Sequence, residues 1–294
     1  MTKPISITDE QISDTLYSSS VLSELTNIPK KEGLPVGIPK IDKDFNFPSG
    51  YYVIVGNPGT GKSWFALWLS RMFWKFSQMR SVYFSLEMPE IVVRARILQQ
   101  WSDLTKTEFE DKKSAGEALD LMGKDVVVVN TFSDSEKKQT TDYFSAWIDK
   151  YYEIGYRIFH FDHLHELEGA NDIAQNQGVT EKWGKLFEEI CKKYPDIWLF
   201  IYAQPNGNAA KSRILRRTDI SGSKAITQKC DYYLSLNRNI AVDEKTGLVL
   251  IDENERVVIL YLDKTRYTER QHIGFKIYFS PTGNFYDYTE GVNE

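Results

Sequence analysis

The chain has 294 residues, 41% of them hydrophobic and 26% charged, and a formal net charge of −5. These totals suit one large α/β domain with at most small appendages. They exclude a protein coated in basic surface, so any nucleic-acid contact must come from a local patch. Cys191 and Cys230 form no CxxC pair, and no signal peptide or bilayer-length apolar run is present, which implies a reducing, cytoplasmic setting and no membrane.

Residues 8–25 read as an amphipathic helix, with Thr8 as cap, Gln11 three positions later, and Ile12, Leu16, Val21, Leu22 and Leu25 near one face. The Pro-, Gly- and Lys-rich stretch over 29–39 is a connector. The apolar stripe of the helix therefore needs a partner, either in its own domain or in a neighbouring subunit. The expected division is residues 1–33, helix and linker, then residues 34–294, the main domain.

Residues 51–67, YYVIVGNPGTGKSWFAL, read as strand, phosphate loop and helix, the helix opening at Trp64. Gly56, Gly59 and Gly61 let the loop turn its amides inward, with Asn57, Pro58 and Thr60 completing the cradle. Lys62 would reach β and γ oxygens and Ser63 would hold Mg²⁺. Nucleoside triphosphate binding follows, against the alternative of a glycine-rich turn before an ordinary helix.

A second strand is expected over 81–86, with a helix starting at Pro89. Glu87 stands between them, at the carboxyl end of a strand, where a water-activating carboxylate would sit; the plainer reading is a solvated residue near a helix start. Strands over 125–130, 157–162 and 197–203 alternate with helices over 142–152 and 181–194, which predicts a parallel sheet covered on both faces. Asp162 closes an apolar strand, as a Mg²⁺-ordering aspartate does. His160, His163 and His165 flank it with Glu166, so a transition-metal site competes with a structural role.

Gln204 precedes the polar run PNGNAAKSRILRRTD, whose Asn206, Lys211, Arg213, Arg216 and Arg217 suit phosphate contact rather than a bare surface loop. Folded back on itself, that run reaches roughly 20 Å. Strands over 232–236, 248–251, 256–263 and 272–279, with turns at 245–247 and 281–283, predict antiparallel additions to the sheet. Lys264 and Arg266 share one side of an extended segment, as a solvated face or as a finger for a neighbour's phosphate.

Taken together, GIPKIDKDF, GNPGTGKS, VYFSLEM, FHFDHLHEL, AQPN, DISGSKAITQKCDYYLSLNR and LDKTRYTERQHIGFKIYF resemble the RecA-like motor domain of DnaB-type replicative helicases. The phage primase-helicase and Twinkle branch is the closer likeness. The resemblance spans roughly residues 36–286. It implies a RecA-like P-loop NTPase core, α/β, with a mainly parallel sheet flanked by helices and antiparallel strands at the C-terminal end.

By the same resemblance, Glu87 is the base, Asp162 and Ser63 hold Mg²⁺, and Gln204 senses the γ-phosphate. Lys264 and Arg266 enter the adjacent subunit's site, and Arg238 and Phe279 sandwich the adenine of ATP. The implied activity is ATP-driven translocation on single-stranded DNA and unwinding of forked duplex by a homo-oligomer, a hexameric ring, working with a separate primase or loader. A RecA-like recombinase or annealing ATPase is the alternative. Ser221, His160 and His165 depart from the family pattern, and the collar or primase domain is lacking. The phage likeness implies action in a host cytoplasm.

Overall fold

The computed structural model describes residues 33–109, 126–130, 140–163, 177–205, 212–220, 224–238, 240–242, 249–251, 256–267 and 271–289. Two units partition the chain, Met1–Glu32 and Gly33–Glu294. The helix expected over 8–25 therefore lies outside the described residues, as do Glu166, His165 and Ser221.

In chain order the second unit runs α1 (Pro39–Asp44), β1 (Gly50–Gly56), α2 (Lys62–Ser77), β2 (Ser81–Ser85), α3 (Glu90–Ser102), α4 (Lys106–Phe109) and β3 (Val126–Asn130). Next come α5 (Thr141–Glu153), β4 (Ile158–Asp162), α6 (Gln177–Lys193), β5 (Trp198–Ala203), α7 (Lys224–Lys229) and β6 (Tyr232–Asn237). It ends with β7 (Ile240–Val242), β8 (Val249–Ile251), β9 (Val257–Thr265), β10 (Ile273–Phe279) and β11 (Phe285–Asp287).

A nine-stranded sheet is ordered β11-β10-β9-β6-β1-β5-β4-β2-β3. From β3 to β6 all neighbours are parallel, and β9, β10 and β11 continue it antiparallel. Period-two alternation along β1 builds the cores on both faces. Tyr52 and Ile54 pack with Phe65, Trp68 and Phe73 of α2 and Val93 and Ile97 of α3. Tyr51, Val53 and Val55 pack with Phe144 and Ile148 of α5 and Trp183, Phe187 and Ile190 of α6. Every residue of β1 is buried, as a central parallel strand requires.

Two expectations about the C-terminal strands are corrected. β6 runs parallel to β1, because α7, too short to show a helical period in the sequence, makes the crossover that parallel pairing needs. β8 pairs with β7 in a separate two-stranded sheet and does not extend the main one. The helix after the phosphate loop opens at Lys62, before Trp64, because Gly61, at φ 96°, ends the loop as a left-handed cap. Pro89 caps α3 rather than opening it. The turn expected over 281–283 joins β10 to β11. There Gly283 has φ 83°, and a Cβ would lie 2.1 Å from the Trp64 ring, so this turn accepts glycine alone.

Candidate active site

The phosphate loop springs from the end of β1, where a Cβ on Gly56 would come within 2.5 Å of Thr60 Oγ1. Thr60 closes the loop by donating through both its hydroxyl (2.8 Å) and its amide (3.2 Å) to the Asn57 carbonyl. The first amides of α2 have no intrahelical acceptor, which makes its N-terminus a natural anion site. Lys62 is 8% exposed, and its Nζ donates to the carbonyls of Gly56 (2.8 Å) and Asn57 (3.1 Å). Burial lowers its amine to about 8, against the opposing pull of Asp162 and Glu87.

Asp162 closes β4, beside Ser85 at the end of β2, and is 2% exposed. The Tyr83 hydroxyl donates to its Oδ2, and burial with that carboxylate drives the phenol well above its ordinary value. Glu87 follows β2 by two residues, half-exposed, with the His163 Nδ1 2.9 Å from its Oε2. Gln204 follows β5 directly. Pro58, Gly59, Gly61, Lys62, Ser63, Glu87, Asp162, Gln204 and Phe279 all line one cavity of about 400 Å³, together with Trp64, Met88 and Arg96. The parallel sheet thus gathers the polar residues that end three separate strands, as ligand sites in such sheets do.

A buried ammonium, a serine hydroxyl at a helix N-terminus and hard carboxylate oxygens around a cavity of this size fit a triphosphate with Mg²⁺. Among the described residues no group of three His, Cys, Asp or Glu can hold a metal ion. His160 is fully buried, stacks on Phe200 at 5.0 Å, and lies 3.0 Å from both Ser70 Oγ and Tyr202 Oη.

The model of the "DnaB-like helicase C terminal domain" matches residues 33–282. The chain belongs to that family. It is therefore a RecA-like helicase motor domain, an ATPase of the replicative class. By sequence, no curated protein matches it. Among solved structures, one described as an ATPase domain is similar at TM-score 0.73 and 17% identity, covering 96% of this chain and 100% of that one. A DnaB-like replicative helicase, described with its interactions with primase, matches at 0.70 and 17%, covering 97% of this chain and 68% of that one. The KaiC-like protein PH0186 of Pyrococcus horikoshii OT3 follows at 0.56 and 17%, over 87% and 99%. At these identities the likenesses establish the RecA-like fold alone.

Within this DnaB-like domain, Lys264, Arg266 and Arg238 are not part of the cavity lining, whereas Phe279 is. Lys264 Nζ donates to the carbonyls of Thr227 (3.0 Å), Gln228 (2.8 Å) and Cys230 (2.7 Å) at the end of α7, and burial lowers its amine. Arg266 donates to the Gln228 carbonyl at 3.0 Å and lies 3.6 Å from Asp231. Arg238 is buried against the phosphate loop, with Nη1 donating to the Gly59 carbonyl at 3.3 Å. Phe279 stacks on Phe285 at 4.8 Å.

The basic run leaves the sheet after Gln204 and returns at an antiparallel bridge, Pro205 to Ile220. Asn206 and Lys211 lie outside the described residues. Arg213, Arg216 and Arg217 are all exposed, and of the three the Arg216 guanidinium pairs with Asp263 at 2.9 Å. Arg96 escaped the sequence reading. It sits nine positions after Glu87 on α3, over the Trp64 ring at 5.3 Å, and lines the cavity. The available signal was helical spacing from the strand end, which alone does not separate Arg96 from Arg94, a residue tied to Glu90 at 2.6 Å.

Proposed function

We propose that this domain is an ATP-driven, ring-forming motor that translocates on single-stranded DNA and separates forked duplex. The observation that carries the reading is the split of its polar and charged candidates. Lys62, Ser63, Glu87, Asp162 and Gln204 share one cavity, whereas Lys264 and Arg266 are held at the end of α7, outside it. A cavity with its own base and metal ligands, whose lining arginine, Arg96, lies over the Trp64 ring, leaves Lys264 and Arg266 to act on a neighbouring copy, which suits hydrolysis between copies.

Lys62 and the loop amides bind the β and γ phosphates. Ser63 and Asp162 hold Mg²⁺, which supplies charge neutralisation when bound. Glu87 accepts the proton of the attacking water, and Gln204 links the γ-phosphate position to the basic loop that begins one residue later. Phe279 and Arg238 flank the base. Asn206, Lys211, Arg213 and Arg217 supply the phosphate contacts, with residues 1–33 as a clasp between neighbours. The DnaB-like helicase whose structure this chain resembles interacts with primase, which supports a separate primase as partner. Among the described residues no helix is long and apolar enough to cross a membrane.

The deciding measurement is ATPase activity with and without single-stranded DNA, and forked-duplex unwinding, on oligomers resolved by size. Stimulated turnover and unwinding by a closed ring are expected. An open filament on DNA that never unwinds would replace the helicase with a recombinase. Turnover indifferent to DNA would remove the motor.

A further inference from the structure

The basic run and the end of β9, which carries Lys264 and is followed by Arg266, meet at one buried carboxylate, Asp263, 5% exposed. Its Oδ1 accepts from Arg216 Nη1 at 2.9 Å, and its Oδ2 accepts from the Arg217 backbone amide at 3.1 Å. His272 Nδ1 lies 3.3 Å from Oδ1. The Arg216 guanidinium also sits over the Tyr261 ring at 4.4 Å and donates to its hydroxyl, while the Tyr233 hydroxyl donates to the Arg216 carbonyl at 2.7 Å. Leu215, the next residue back, is buried and gives its amide to Asn237 Oδ1 at 2.9 Å. The returning stem of the loop is therefore fastened to β6 and β9.

The backbone explains why Asp263 can do this. Register along β9 passes from Tyr233↔Lys264 to Leu234↔Leu262, which leaves Asp263 as the extra residue of a bulge. In a regular strand Asp263 and Lys264 would face opposite sides of the sheet. Here Asp263 reaches the loop stem and Lys264 reaches the end of α7, and Leu215, Ile226 and Cys230 of those two segments lie in the same core cluster. The bulge delivers two consecutive charged residues to one face.

We propose that Asp263 is a positioning residue, the joint that makes the basic loop and the Lys264–Arg266 segment move together, so that DNA held by the loop is felt at the neighbour's phosphate site. This rests on the motor reading above. Charge-assisted bonds to both oxygens make the joint stiff. Arg216 is thereby an anchor of the loop and not one of its phosphate ligands.

The test uses the full chain as its size-resolved oligomer, with Asp263→Asn, which keeps the shape but offers one acceptor oxygen and no charge. Turnover without DNA stays within about twofold and oligothymidylate affinity at fixed salt within about threefold, while DNA-stimulated kcat falls about tenfold at unchanged KM for ATP. Arg216→Met lowers the stimulation likewise if Asp263→Asn folds poorly, and the double variant loses no more than either single one, as partners in one contact do. DNA stimulation preserved in these variants overturns the joint while the motor reading stands. Turnover lost equally with and without DNA also overturns it, since Asp263 would then only support packing. A wild-type chain that DNA does not stimulate removes the motor reading and the joint with it.

Discussion

His160 makes a quantitative prediction about stability. The Ser70 hydroxyl donates to the Ala66 carbonyl at 3.2 Å, so its oxygen accepts from His160 Nε2–H, and Nδ1 is left to accept from the Tyr202 hydroxyl. The network thus assigns one neutral tautomer. Burial pushes the imidazole down to about 3. An unfolded chain takes up that proton near pH 6.5, while the folded one refuses it until near 3, so stability falls as pH drops through this window. At pH 5 the 1.5-unit interval costs about 2 kcal/mol at roughly 1.36 kcal/mol per unit. The assay is urea unfolding at pH 7.5 and pH 5 on the wild type and on His160→Phe/Tyr202→Phe, which removes the imidazole and the hydroxyl it would orphan. Between those pH values the wild type should lose about 2 kcal/mol more than the double variant. Equal losses would refute the buried neutral imidazole.

Three further outcomes are expected. Glu87→Gln retains ATP affinity but loses about 10² to 10⁴ in turnover, the range of general-base catalysis, and steady-state ATPase assays beside nucleotide-binding titrations check it. Unchanged turnover removes Glu87 from the mechanism. Arg266→Ala should lose about 10³ or more in turnover and regain part of it on mixing with Lys62→Ala, because each protein supplies what the other lacks at a shared boundary. Absence of rescue at every mixing ratio counts against action in trans. Since burial holds Lys62 near 8 and phosphate binds the charged amine, ATP binding at pH 8.5 should draw in a proton and weaken as pH rises. Calorimetry in buffers of different ionisation enthalpy reads that uptake directly, and its absence contradicts the buried cation.

Much of the site was legible in the chain because its parts are local. GNPGTGKS carries strand end, turn and helix start within eight residues, so its glycines, Lys62 and Ser63 describe the cradle without tertiary information. Asp162 ends an apolar strand and Glu87 and Gln204 each follow one, and parallel strands collect their ends at one edge, so three distant positions converge by a rule of topology. The same rule does not reach side chains whose partners lie far along the chain. Arg216 looks like any basic loop residue until Asp263, 47 positions on, is seen to hold it. For His160, beside Asp162 and His163, the sequence leaves a metal-binding and a structural role open, until Tyr202 and Ser70 prove to occupy its nitrogens.

The amino-acid sequence by itself determined the motor family, the alternating strands and helices, and most of the residues that line the phosphate-loop cavity, because those signals sit in short windows. Only the tertiary structure decided that β6 is parallel, that β8 leaves the main sheet and that β9 is bulged at Asp263. Strand direction depends on the crossover and register on the facing strand, and neither is written in the residues of the strand itself.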